Sequence, residues 1–279
     1  MGKLNIKKPV KILGIVLGVI CVIISVFLLR RAFSNITYSN LNDADALNIT
    51  VDYLTESGVP QENIDVFKEQ VQFTNEFLSE LPNLQGEFIT KKGAIVKYDR
   101  NMAFNLFRTA ILPDDINCRL TAWNLIKDLV KVDAIDETIE LSEESALEYY
   151  PSTGFSEGDK EAFWGVFKGI PAGAIHTTSG YATIIKEAWA NRNLEFEDSN
   201  RKLVSCFGYS FENKWLEAVH VGVMIEQDDQ VVFIEKVNPA EPFQVSIFKN
   251  EKELNYYLKQ RLLDYFVLQP IIMVNDERL

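Results

Sequence analysis

Ala218-Val219-His220-Val221-Gly222-Val223-Met224-Ile225-Glu226 is followed by Gln227-Asp228-Asp229-Gln230 and then by Val231-Val232-Phe233-Ile234-Glu235-Lys236-Val237. Two runs rich in Val, Ile and Phe around a short polar connection predict an antiparallel hairpin. β-branched and aromatic side chains suit a pleated surface, and the polar residues suit a turn. Outward from it, Leu203–Ser210 and Phe243–Phe248 add strands, and Tyr265–Val274, interrupted by Pro270, reads as an edge strand. Upstream the spacing becomes helical. Asp43–Ser57 and Pro60–Leu81 read as helices, the second with Ile64, Phe67, Val71, Phe77, Leu78 and Leu81 on one stripe, and Pro82–Gly93 reads as a loop. Further helices are expected over Arg100–Ile111, Cys118–Val132, Ser156–Lys168 and Ser179–Arg192. Asn250 with Glu253 resembles a capping box opening a helix to Leu263. Helices first and strands later predict an α+β fold.

The chain has three cysteines and two histidines, and one of each falls where chemistry is easiest to build. Cys118 opens a helix in Asp115-Ile116-Asn117-Cys118-Arg119, where unpaired backbone N–H groups favour a thiolate. His220 on the hairpin supplies a base, and Glu235 on the neighbouring strand supplies a carboxylate to orient it. The backbone N–H of Cys118, with Asn117, is the candidate oxyanion site, and Arg119 favours the thiolate while Asp114 and Asp115 oppose it. Each residue has a plainer reading as well: Cys118 and His220 as core residues, and Glu235 as the outward member of a half-exposed strand. Gly222 either leaves the floor of a site open or marks a bulge. A Cys118–Cys206 disulfide is the alternative that would remove the nucleophile. His176 is the substitute base. No His-x3-His or Cys-x2-Cys spacing, phosphate-cradling glycine loop or calcium loop is present, so neither metal nor cofactor is expected.

Residues 1–31 differ from the rest. Ile12–Leu29 is apolar apart from Gly14, Gly18, Cys21 and Ser25, and at about 1.5 Å per residue it just crosses a bilayer core. Lys3, Lys7, Lys8 and Lys11 precede it and Arg30 and Arg31 follow, which favours a cytoplasmic N-terminus. The reading is an uncleaved signal anchor contacting the lipid bilayer through residues 12–29, with a cleaved signal peptide as the alternative. Residues 32–42 then form a linker, and 43–279 one extracellular domain. The whole chain carries a net charge of −12, and the part beyond the anchor is more acidic still, which disfavours nucleic acid as a partner.

Five motifs together resemble the bacterial family catalogued as domain of unknown function 4300, whose members resemble surface proteins of Gram-positive bacteria. They are Tyr38-Ser39-Asn40-Leu41-Asn42-Asp43, Asn117-Cys118-Arg119, His220-Val221-Gly222-Val223, Phe233-Ile234-Glu235-Lys236 and Glu241-Pro242-Phe243-Gln244. A Cys at a helix start followed by a His-Val-Gly strand is also similar to NlpC-type papain-like cysteine hydrolases. That second resemblance implies a papain-like helical half on an antiparallel sheet and cleavage of amide bonds in cell-wall peptides. Arg119 and Leu120 stand where those enzymes carry small residues. The expectation is a membrane-anchored surface thiol hydrolase using Cys118, His220 and Glu235. Its rival is an inactive surface binding protein on the same fold.

Overall fold

The strand Trp215–Gln227 carries apolar residues on both sides, Val221, Val223 and Ile225 on one and Met224 on the other, so both faces need cover. The computed structural model describes residues 16, 18–20, 35–109, 116–132, 155–173, 177–263 and 269–279. In chain order its elements are β1 (Asn35–Ser39), α1 (Ala44–Glu56), α2 (Gln61–Phe77), β2 (Ile89–Lys92), α3 (Arg100–Thr109), α4 (Cys118–Ile126), β3 (Val130–Lys131), α5 (Glu157–Phe167), β4 (Ile170–Pro171), α6 (Thr178–Asn191), β5 (Glu195–Phe196), β6 (Arg201–Ser210), β7 (Trp215–Gln227), β8 (Gln230–Lys236), β9 (Phe243–Phe248), α7 (Glu251–Leu262), β10 (Ile271–Val274) and β11 (Glu277–Arg278). The main sheet runs β11-β10-β6-β7-β8-β9-β1-β2 with every pairing antiparallel, and β4 joins it beside β7. This is the expected mixed α+β architecture.

Helices cover both faces. Leu54, Phe67, Trp123, Phe163 and Trp189, from α1, α2, α4, α5 and α6, pack with Val221, Val223, Ile234 and Val245 on one side. On the other, Leu254, Tyr257 and Leu258 of α7, joined by Leu78, Tyr98 and Ala103, pack with Val204, Cys206, Met224 and Phe233. Burial of these side chains on both sides supplies the main driving force for the fold.

Several boundaries differ from the sequence reading. Residues 35–39, within the 32–42 linker, are instead a strand inserted between β9 and β2. Their polar look is deceptive, because Ile36 and Tyr38 point into the α7-side core while Ser39 is buried and bonded to Gly86 O. The Pro82–Gly93 loop contains β2, which adds to β1. The Cys118 helix ends at Ile126, passing through a short 3-10 turn to β3. Ile271–Val274 is an inner strand between β6 and β11, because Pro270 precedes the pairing and the tail turns back over the outer side. His176 and the acidic segment 133–154 lie outside the described residues, as does nearly all of 12–29. Among the described residues no helix is long and apolar enough to cross a membrane.

Candidate active site

Asn117 sits in extended backbone, and its Oδ1 accepts the N–H groups of Arg119 and Leu120 at 2.9 and 3.0 Å. Cys118 is therefore the first helical residue, with its thiol at the positive end of α4. The rest of the helix is clamped: Leu120 to Ile126 are all buried, and Trp123 meets Phe163 and Phe167 edge-on. A helix packed on nearly every side cannot roll, so the direction of the Cys118 side chain is set by the core.

The sheet opens where this thiol arrives. Register pairs between β7 and β8 stop at Gly222↔Glu235. Val221 is the next β7 residue, and its backbone N–H donates to the Cys118 sulfur. Beside it the β6–β7 register slips: Cys206 faces His220 but Phe207 faces Ala218, leaving Val219 as a bulge. The slip matters for direction, because Leu216 and Ala218 pack in the larger helical core whereas Cys206, opposite His220, packs in the α7-side core. Because Gly222 pairs with Glu235, His220 two residues away shares Glu235's α7 side; the bulge turns the strand beyond it, Ala218 and Leu216, to the larger helical core.

Cys118, His220 and Glu235 come together. The thiol and imidazole are hydrogen-bonded, and His220 Nε2 lies 2.5 Å from Glu235 Oε2, leaving Nδ1 as the ring nitrogen for the sulfur. His220 and Glu235 are buried at 4 % and 0 % exposure, while Cys118 keeps partial exposure. Burial acts against charge on all three, yet their mutual contacts win. Burial raises the Cys118 thiol, but His220, Arg119 and the Val221 N–H bring it below its ordinary value. Burial lowers His220, but hydrogen bonds and charge from Cys118 and Glu235 push it up to about 9. Glu235, desolvated but held by His220, Arg261 and Tyr257, stays below the usual carboxylate range. The contacts thus all favour the charged forms, thiolate, imidazolium and carboxylate in a row.

Behind Glu235 lies a buried polar network that sequence reading missed. The Tyr257 hydroxyl donates to Glu235 Oε1, and Gln244 Nε2 approaches the same oxygen at 3.4 Å while donating to Tyr257 OH at 2.9 Å and Ser246 Oγ at 2.8 Å. Tyr98 donates to Gln244 Oε1 at 2.8 Å, and Asn40 Nδ2 donates to Tyr98 OH at 2.7 Å. Gln244 and Ser246 gave one signal, polar residues two apart in an otherwise apolar strand. Tyr257 gave none, since an aromatic on an amphipathic helix reads as core. A second buried cluster adjoins: Glu241 is bonded by Arg100 at 3.0 Å and Arg261 at 2.8 Å, and Lys236, its charge disfavoured by burial and its pKa near 7, donates to Glu241 O and Pro239 O.

Other readings separate. Cys118 and Cys206 are both free, so no bridge forms; Cys206 is fully buried and its thiol is raised well above normal by desolvation. Gly222 does not leave an open floor: a Cβ there would lie 2.4 Å from the Phe233 ring and 2.8 Å from Ile234 O. Nor does it mark the bulge, which falls at Val219. Asn117 spends its Oδ1 on the helix cap, which leaves its Nδ2 as the side-chain donor. Arg119 lies close enough to interact with both Cys118 and Glu217. Among the described residues no His, Cys, Asp and Glu group fits a metal ion.

A family model described as a domain of unknown function, DUF4300, matches residues 37–279. The chain belongs to this family. The match begins inside β1 and runs to the last residue, so the DUF4300 unit includes both the first strand and the whole Cys118–His220–Glu235 cluster. No curated protein and no solved structure matches the chain.

Proposed function

We propose that this protein is a membrane-anchored, cell-surface thiol hydrolase with Cys118 as nucleophile, His220 as acid and base, and Glu235 as orienter. The support is one observation, a half-buried helix-start thiol hydrogen-bonded to an imidazole whose other nitrogen is held by a buried carboxylate. In this reading the Cys118 thiolate attacks an acyl carbonyl, and the resulting oxyanion takes hydrogen bonds from the Cys118 N–H and Asn117 Nδ2. His220 gives its proton to the leaving amine as the bond breaks, then takes one from water as it attacks the thioester, releasing the acid and restoring the thiolate beside the protonated His220. The papain-like, NlpC-type architecture and peptide amides of the cell wall as substrate belong to this proposal through the shared motifs and the anchor reading. The second reading, an inactive surface binding protein, is favoured by the bulky Arg119 beside the sulfur.

Two measurements test the proposal. Alkylation by iodoacetamide, localised to Cys118 by peptide mass spectrometry, is expected to proceed well below the ~8.5 of a free thiol; an ordinary thiol profile favours the binding protein. Wild type incubated with purified cell walls is expected to release peptide fragments that Cys118→Ala does not. Identical fragment patterns from the two rule out the cell-wall substrate.

A further inference from the structure

The two outer edges of the main sheet carry opposite charge. At one, β10 and β11 border a groove of about 420 Å³ lined by Glu197, Asp198, Glu251, Asp276 and Glu277 against Lys202 and Arg278. The set is net negative even though Glu197 and Glu277 pair with Lys131 and Lys186. At the other, β2 borders a groove of about 540 Å³ lined by Lys91, Ile95, Lys97, Gln260 and Leu263, with no carboxylate among its lining. Lys91, Lys92 and Lys97 are exposed and make no ion pair among the described residues. In a chain of net charge −12 such a concentration of unpaired cations stands out.

Register places this edge next to the apolar segment. Lys92 pairs with Asn35 and Lys91 with Ile36. Leu29, the last residue of the apolar run, precedes Asn35 by six positions, which reach at most roughly 20 Å even when fully extended. If residues 12–29 are in the bilayer, the β2 edge is held within that distance of the headgroups. Eight strands at about 4.8 Å spacing put the acidic edge on the far side of the sheet. Attraction at one edge and repulsion at the other favour the same orientation. Asp228 and Asp229, exposed at the β7–β8 turn, are separated from β2 by β8, β9 and β1, beyond about one Debye length.

We propose that the β2 edge, with Lys91, Lys92, Lys97 and the apolar Leu263, is a docking surface for anionic phospholipid headgroups. It lays the domain on the membrane from which it emerges. The inference rests on the anchor reading of residues 12–29 and is independent of any chemistry at Cys118. The test places the full chain in nanodiscs of phosphatidylglycerol or of phosphatidylcholine and follows lysine acetylation by mass spectrometry. Lys91, Lys92 and Lys97 are expected to react at least about threefold more slowly in phosphatidylglycerol, with Lys214 on the β6–β7 turn unchanged and the difference shrinking at high salt. Equal rates in the two lipids, with the chain retained in the discs, overturn the docking and leave the anchor standing. A chain that an alkaline wash removes from the discs overturns both. Protection produced by soluble polyphosphate in phosphatidylcholine discs, but absent in phosphatidylglycerol, reassigns the surface to a soluble polyanion and overturns membrane docking.

Discussion

Cys118 takes its character largely from His220, and His220 takes its own from the groups behind it. Glu235 holds the proton on His220, so Glu235→Gln is expected to lower the His220 pKa and raise that of Cys118. Alkylation of Cys118 at pH 6 then falls at least about tenfold, since one pKa unit is a factor of ten, while at pH 10 the variant matches wild type. A variant as reactive as wild type at pH 6 means that Glu235 does not support the ion pair. Tyr257 acts one step further out. Tyr257→Phe leaves Glu235 Oε1 with only the 3.4 Å approach of Gln244, and the loss of a hydrogen bond to a buried carboxylate costs about 1–3 kcal/mol. Denaturant unfolding measures the loss, and the same variant's alkylation profile reports whether Glu235 has drifted from His220.

Two short elements aim these residues, the cap of α4 and the β7–β8 pair. Asn117→Ala removes the side-chain acceptor for Arg119 and Leu120 N–H, so a stability loss of about 1 kcal/mol is expected, largely restored by Asn117→Ser. Equal unfolding midpoints for the Ala and Ser variants would show that the cap does not hold the helix start. Gly222→Ala puts a methyl 2.4 Å from the Phe233 ring and 2.8 Å from Ile234 O. The ring can turn but the backbone oxygen cannot, so a loss of about 1–3 kcal/mol is expected, of which Phe233→Leu in the same chain recovers only part. Much at this scale was legible beforehand. The alternation of β8 and the two-residue turn at Asp228-Asp229 fix Gly222 opposite Glu235, which makes His220 the diagonal neighbour. The Val219 bulge was not legible, because a β-branched residue in a strand carries no mark of being unpaired, and it is this slip that turns Ala218 and Leu216 into the larger helical core.

At the scale of the whole molecule the buried charges tie stability to pH. His220 rises from an ordinary 6.5 to about 9 in the folded protein, so the folded state holds its proton more tightly. Its contribution is complete below 6.5 and is lost as pH rises through about 9. Glu235 shifts the other way: its contribution is present above its ordinary 4.5 and is lost as pH falls through its depressed folded value. Cys118 shifts in the opposite sense to His220, so the proton it releases offsets the one His220 gains and the alkaline change is small. The loss falls on the acid side, where thermal unfolding of the wild type is expected to drop more than that of Cys118→Ser as pH falls from 7 to 5; equal drops contradict the ion pair. The polar network has the same global character, since Asn40, Tyr98, Gln244 and Tyr257 come from four separate segments and meet only once the α7 side of the sheet is covered. By itself the sequence determined the α+β class, the hairpin, the helix that begins at Cys118 and the adjacency of His220 and Glu235, because periodicity and turn length are local and act over a few residues. Tertiary structure alone decided that residues 35–39 complete the sheet, that Glu235 faces a buried second layer instead of solvent, and that the thiol meets the imidazole. Those outcomes depend on which distant segments cover which face, and packing free energy between segments leaves no trace in the spacing of residues within one.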